Sequence, residues 1–250
     1  MARFAIDAPE VEVTRGGLLS VARVVDAPKE AQYLGVTHVI GDVSPPVPIP
    51  DEGEEKDFGI FEERVEWDPF TLYKGIEYAM LLGETPDVEK LFTAGESYGV
   101  EKGLQEQVLN PQAVDLTPTP GEPVTNIMYA YGLLEQYAAD HYAGMPLLHG
   151  NKIAVSLASQ FLADSGSGVL HSKLGTPIAT GGGYGADGPD GITAPAGSAW
   201  LYVTGGVTIM RGPLEVYPTA NLKGNRALVL AERTYVPVVN NFVAAILVGI

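Results

Sequence analysis

The stretch from Thr85 to Asn110 constrains this chain most, because it is a segment whose sequence marks a helix at both ends. Thr85 is placed to cap it, Pro86 suits the first helical position, and Asp87 and Glu89 complement the positive end of the helix dipole. Asn110-Pro111 marks its stop. Val88, Leu91 and Phe92 fall on one side, which Gly95, Gly99 and Gly103 continue at four-residue spacing, while Val100, Leu104 and Val108 form a second flank. Interior glycines cost about 1 kcal/mol each relative to alanine, so tertiary contacts must compensate. The helix is therefore expected to pack on both sides, with another backbone close to the glycine row.

Inside this helix, Gly95-Glu96-Ser97-Tyr98-Gly99 matches the G-x-S-x-G pattern of hydrolase nucleophile elbows. An elbow needs a strand before its serine and a helix after it, whereas Ser97 lies well within a capped helix. Asp140, His141 and His171 follow downstream, yet no spacing brings them to Ser97. Ser97 is expected to pack rather than react, and no catalytic residue is assigned. Gly183 to Gly188 formally fits G-x-G-x-x-G, but Pro189-Asp190-Gly191 follows where a phosphate-binding helix would begin. No cofactor is expected.

His141, His149 and His171 lack ligand spacing, and His38 falls on an expected strand, so no metal site is assigned. The acidic run Asp51 to Asp57 reads as a solvated loop, since its carboxylates are contiguous rather than alternating. Tyr129, Tyr131, Tyr137 and Tyr142 are spread around a second expected helix, which favours packing and subunit contacts over a base-stacking platform.

Charge and composition narrow the remaining classes. The formal net charge is -16, which disfavours an extended cationic face for nucleic acid. Absence of cysteine removes disulfides and thiol catalysis. The N-terminus has no cationic flank followed by an apolar run, and Phe242 to Ile250 is too short to span a bilayer, so neither export nor membrane anchoring is expected.

Residues 1–35 alternate short apolar pieces with charge and proline, and are read as an extended arm lying on another part of the protein or on a neighbouring subunit. Val36 to Val43 and Phe61 to Leu82 suit two strands of a long excursion with an acidic tip. The second helix is expected to start at Pro123, with Ile127, Tyr131, Leu134, Ala138 and His141 in phase, and to end at Gly144 and Pro146. A third is expected from Asn151, burying Ala154, Leu157, Ala158, Phe161 and Leu162 and stopping before Ser165. The glycine-rich loop Thr176 to Gly191 is expected to project between subunits. From Ala199 onward short breaks divide Trp200–Val203, Val207–Met210, Leu214–Tyr217, Ala227–Ala231, Thr234–Val239 and Phe242–Val248 into antiparallel strands, making the class α+β.

This order of parts resembles the major capsid proteins of tailed bacteriophages, the Hong Kong ninety-seven type of fold also used by encapsulin shells. Strings similar to those of actinobacteriophage capsid proteins are Gly16 to Val21, Tyr73 to Glu77, Thr176-Pro177-Ile178, Gly181 to Tyr184, Trp200-Leu201-Tyr202 and Ala231 to Tyr235. The resemblance implies an N-terminal arm (1–35), an extended loop and its base (36–83), a peripheral domain with a spine helix (84–123), an axial domain (124–198) with Gly181 to Gly191 near the capsomer axis, and terminal strands (199–250) shared between the two domains. It also implies a structural protein, not an enzyme, that forms hexamers and pentamers of an icosahedral phage head around double-stranded DNA, without sequence-specific binding. Scaffold, portal and decoration proteins are the other implied partners, and the virion capsid, assembled in the host bacterial cytoplasm, is the implied location. An encapsulin-like compartment is the nearest alternative; a tail-tube or decoration protein and a serine hydrolase are others. No charged helical pre-region marks a fused scaffold, and no spacing singles out a Lys–Asn pair for a covalent crosslink between subunits.

Overall fold

The apolar strands near the end of the chain build its centre. The computed structural model describes residues 16–40, 63–79, 86–164, 168–221, 224–240 and 242–250. In chain order its elements are α1 (Leu18–Val21), β1 (Arg23–Asp26), α2 (Lys29–Leu34), β2 (Val36–Ile40), β3 (Glu63–Trp67), β4 (Phe70–Ala79), α3 (Val88–Leu104), α4 (Asn110–Gln112), β5 (Val114–Asp115), α5 (Ile127–His141), β6 (Leu147–Asn151) and α6 (Lys152–Leu157). These are followed by β7 (Leu162–Asp164), β8 (Leu170–Ser172), β9 (Pro177–Gly181), β10 (Ser198–Thr204), β11 (Val207–Arg211), β12 (Glu215–Asn221), β13 (Arg226–Val239) and β14 (Val243–Gly249).

A seven-stranded sheet runs β5-β14-β10-β6-β9-β8-β7. Its central strands are buried on both faces, because successive side chains point to opposite sides and each side meets helices. Trp200 and Tyr202 of β10, with Val243, Ala245 and Leu247 of β14, join Val100, Leu104 and Val108 of the long helical segment. Ala199, Leu201 and Val203, with Ala244, Ile246 and Val248, join Tyr131, Leu134 and Ala138 of α5 and Ala154, Val155 and Ala158 of the α6 segment. That uninterrupted apolar composition reflects burial on two faces.

A five-stranded sheet is organised on β13, which runs without interruption through Glu232-Arg233, where two strands are expected. β11 and β12 pair antiparallel with it along one edge, β4 pairs antiparallel along the other, and β1 lies parallel to β11. The terminal strands thus divide between the two sheets, and the mixed α+β class holds. A third, two-stranded sheet is β2 with β3.

Several expected elements differ in the structure. Residues 16–35 are not simply extended: α1, β1 and α2 lie on the body of the same chain, with Leu18 fully buried and Thr180 N donating to Gly16 O at 2.9 Å. Among the described residues the excursion pairs β2 with β3; after Asp68-Pro69 the chain leaves it, and β4 joins β13, where Leu72 and Ile76 can pack on α3. The acidic run Asp51 to Asp57 lies outside the described residues.

The expected third helix is short. β6 precedes it, α6 has six residues, a 3-10 turn covers Ser159–Phe161, and Leu162 begins β7. Leu157 is 54% exposed, so the helical periodicity read there does not describe a buried face. α5 begins at Ile127, because Asn126 Oδ1 accepts from Met128 N and Tyr129 N at 3.0 and 3.2 Å, whereas Pro123 lies upstream of this cap. Among the described residues no helix is long and apolar enough to cross a membrane.

Candidate functional site

The long helix that opened the sequence analysis is the junction of the molecule. Asp87 caps it, its carboxylate accepting Lys90 N–H at 2.9 Å; Pro86 precedes the helix, and Thr85 lies outside the described residues. The expected stop at Asn110-Pro111 is carried to Gln112 by a π-helical turn, Gln105–Leu109, in which Asn110 N–H reaches Gln105 O. Such a turn inserts one extra residue per ring of hydrogen bonds and re-aims the side chains that follow.

Two buried acids of α3 face different bodies. Glu96, 7% exposed, accepts Arg233 Nη1–H at 2.7 Å and Tyr235 Oη–H at 2.6 Å, with Arg211 Nη1 4.0 Å away, fastening the helix to β11 and β13. Burial pushes the Tyr235 phenol up, so it remains a donor. Glu101, 1% exposed, accepts Leu18 N–H at 3.2 Å and Ser97 Oγ–H at 3.1 Å on one oxygen and Gly183 N–H at 3.0 Å on the other. This carboxylate joins the N-terminal segment, the helix and the glycine-rich loop.

Gln105 extends the same clasp. Its Oε1 accepts Gly185 N–H at 2.5 Å, and its Nε2 donates to Asp187 O at 2.7 Å and Tyr202 Oη at 3.0 Å. Tyr202 Oη in turn donates to Asn110 Oδ1 at 2.7 Å. The loop is therefore seated on the helix instead of projecting outward: Gly183, Tyr184, Gly188 and Pro189 are buried, and Trp200 Nε1 donates to Ile192 O at 3.2 Å. Its amides at Gly183 and Gly185 already have partners, so the G-x-G-x-x-G string offers no cradle for phosphate.

The close approach of backbones also falls in this loop. A Cβ on Gly183 would lie 2.2 Å from the Tyr98 carbonyl and 2.9 Å from Lys102 N, whereas Gly99 and Gly103 face the side chains of Leu72 and Phe70, and Gly95 faces open space. The helical glycine row thus accommodates side chains from β4 rather than another main chain.

Among the described residues Ser97 has no histidine partner. Its hydroxyl serves Glu101, and the cleft it borders, about 210 Å³ with Tyr98, Lys152 and Gly181, has no described histidine in its wall. His149 is fully enclosed between Tyr184 Oη at 3.0 Å and Thr204 Oγ1 at 2.9 Å, and burial pushes its pKa down to about 3, keeping the imidazole neutral. His141 stacks on Tyr137 with centroids 4.0 Å apart, and His171 Nδ1 bonds Val169 O at 3.1 Å. Among the described residues no group of three or more His, Cys, Asp or Glu is placed to hold a metal. Of the four tyrosines, Tyr131 is buried, Tyr129 is 55% exposed, and Tyr137 and Tyr142 stack with Phe242 at 5.5 and 5.8 Å.

Sequence reasoning missed Glu96, Glu101 and Gln105 as the fastening residues. Their available signal was a set of polar side chains on the inward arc beside Val100 and Leu104, where a solvated helix face would not place them. What the arrangement performs is mechanical: two sheets and an N-terminal segment are held to one rod by buried, hydrogen-bonded carboxylates and an amide.

No protein-family model matches this chain, and no curated protein matches its sequence. Solved structures match its fold over nearly its whole length. The capsid of an empty GTA particle is 13% identical with a TM-score of 0.61, covering 100% of this chain and 95% of that chain. The Mycobacterium phage Che8 structure is 12% identical with a TM-score of 0.56, covering 98% and 96%. The SrpI encapsulin complex from Synechococcus elongatus is 12% identical with a TM-score of 0.57, covering 98% and 91%. The chain therefore has the capsid-shell fold of the Hong Kong ninety-seven type. Phage capsids, the capsid of a GTA particle and an encapsulin are among the structures that share it.

Proposed function

We propose that this chain is the structural subunit of a closed shell, the major capsid protein of an icosahedral phage head that encloses double-stranded DNA. The observation that carries the reading is the completeness of the likeness, which takes in 98% or more of this chain and 95% or more of the GTA and Che8 chains. In this reading residues 1–35 are the N-terminal arm, 36–83 the extended loop and its base, and 84–123 the peripheral domain with α3 as spine. Residues 124–198 belong to the axial domain, and the strands of 199–250 serve both domains. The seating of Gly181 to Gly191 on α3 then limits how much of that loop can face a capsomer axis.

Copies of the chain associate as hexamers and pentamers, with scaffold, portal and decoration proteins as further partners, in the virion capsid after assembly in the bacterial cytoplasm. The role is mechanical and not enzymatic, a reading supported by the engagement of Ser97 with Glu101. A net charge of -16 suits a container that holds DNA without adhering to it, since nonspecific affinity rests on cationic contacts with phosphate. The encapsulin-like reading is the second, favoured by the SrpI match at a TM-score within the range of the capsid matches.

Expression of the chain followed by negative-stain imaging tests the shell reading: closed icosahedral particles are expected, and chains that stay monomeric under assembly-promoting conditions overturn it. Particles from the native source separate the two forms, because a phage head protects double-stranded DNA from nuclease whereas a compartment of the other kind retains a protein cargo.

A further inference from the structure

The five-stranded sheet has one face covered by α3 and one face bare. On the covered side Leu72 and Ile76 of β4 and Val229 and Ala231 of β13 pack against Val88 and Phe92. Side chains of a strand alternate between faces, so the register sets Tyr73, Glu232 and Glu215 side by side on the other face, with Tyr217 in the next row. Tyr73 is 74% exposed and Tyr217 47%, and α2 brings Tyr33, 81% exposed, to the border of the same face. Tyrosines gathered in this way are the composition of an interface.

The charges of this face are unmatched. Glu215 and Glu232 stand directly opposite one another in the β12–β13 pairing, where like charges destabilise a sheet. Glu215 accepts the Tyr217 hydroxyl, whereas Glu232, half-buried, has no hydrogen bond or ion pair among the described residues. Among the described residues that β4, β12 and β13 turn to this face the one cation is Arg226, whose guanidinium is held 3.2 Å from Glu77. Arg233 reaches Glu96 on the opposite side. A cleft of about 270 Å³ has both unmatched carboxylates in its wall, together with Tyr33, Tyr217, Thr71 and Thr234.

We propose that the bare face of the five-stranded sheet docks a cationic segment of a different polypeptide, with an arginine of that partner entering the cleft between Glu215 and Glu232. A guanidinium fork can serve two carboxylates at once and lay its plane on tyrosine rings, which an ammonium group cannot do. The occupant follows from the charge of the face itself: two neighbouring carboxylates without a counter-ion call for a cation. A second copy, carrying the same net charge of -16, brings the same surplus of acid. The inference does not rest on the shell reading, since it concerns one face of a single folded chain.

The test titrates the full-length chain with a fluorescein-labelled peptide, Ser-Gly-Arg-Gly-Arg-Gly-Ser, and with its counterpart in which uncharged citrulline replaces arginine, and reads binding by fluorescence anisotropy. Saturable binding of the arginine peptide is expected at about 0.1 M salt. Binding should weaken at least about tenfold for the citrulline peptide, and equally for the arginine peptide on the double variant Glu215→Gln, Glu232→Gln. The control Glu89→Gln, Glu122→Gln removes two exposed carboxylates elsewhere and should bind like the parent, which separates the cleft from the general attraction of an acidic chain. Glu232→Gln alone should raise the urea midpoint of the free chain while it weakens peptide binding, the signature of a site that keeps unpaired charge for a partner. Equal binding of the two peptides, an equal loss in the control, or a lowered midpoint overturns the assignment. Assembled particles should bind the arginine peptide as free subunits do; binding lost on assembly gives the face to a second copy and overturns it. Chains that never form particles overturn the shell reading and leave the peptide result standing.

Discussion

At Glu101 one carboxylate accepts hydrogen bonds from three separate segments, at Leu18, Ser97 and Gly183. Glu101→Gln presents an amide group to these donors and is expected to cost about 1–3 kcal/mol, the range for leaving a buried polar group unsatisfied. Ser97→Ala removes one donor of the three and should cost about 1 kcal/mol or less; urea denaturation of both variants measures the ordering, and equal losses would contradict it. Gly183→Ala drives a methyl group into the Tyr98 carbonyl, so it should destabilise by about 1–3 kcal/mol. Gly95→Ala meets no neighbour and should stabilise the helix by up to about 1 kcal/mol in the same assay.

His149 supplies a pH dependence at this scale. Burial lowers its folded-state pKa from 6.5 to about 3, so the unfolded chain binds the extra proton between those values. The contribution is fully present above pH 6.5 and is lost as the pH falls toward 3, with a slope of up to about 1.4 kcal/mol per pH unit. Urea titrations across that window should show a shallower slope for His149→Gln than for the parent. Of these residues, the sequence marked Ser97 as conspicuous yet unsuited to catalysis by its place inside a helix. It could not reveal the role of Glu101, because two of that carboxylate's three partners, Leu18 and Gly183, lie 83 and 82 residues away.

Among the elements, α3 owes its position to side chains contributed by both sheets. Glu96→Ala leaves Arg233 half-buried without its partner, and a loss of about 3–5 kcal/mol follows from breaking a buried pair at one end. A double-mutant cycle of Glu96→Ala with Tyr235→Phe in urea denaturation reads the coupling between that carboxylate and the phenol, and a coupling of zero would show that their hydrogen bond adds nothing to stability. The capped helix, the second helix and most of the final strands were legible in capping residues and apolar runs. β6 was not, since a short buried strand has no period of its own to show, and α6 was legible in its start at Asn151 but not in its length, because Ala154, Leu157, Ala158, Phe161 and Leu162 keep helical spacing through the turn and strand that follow it. The π-helical turn was illegible too: Gln105 to Leu109 continues an ordinary helical pattern, and its bulge is held by contacts with the distant glycine-rich loop.

On the scale of the whole molecule, a net charge of -16 opposes the approach of identical subunits. Raising the salt shortens the Debye length from about 10 Å at 0.1 M to about 3 Å at 1 M, so particle formation followed by light scattering should be faster and more complete at high salt. Assembly that weakens as salt rises would place attractive ion pairs in command of the contacts.

What the sequence determined by itself was local: helix ends set by capping chemistry, strands set by apolar runs between glycine, proline and asparagine, and the order of parts that resembles a capsid subunit. The tertiary structure decided which edge β4 joins, which acids of α3 are buried, and that the glycine-rich loop lies against the helix. The physical reason is reach. Capping and periodicity act within a few residues of the same segment, whereas sheet register and the satisfaction of buried carboxylates depend on groups that only the folded chain brings together, as Glu101 is satisfied by Leu18 and Gly183.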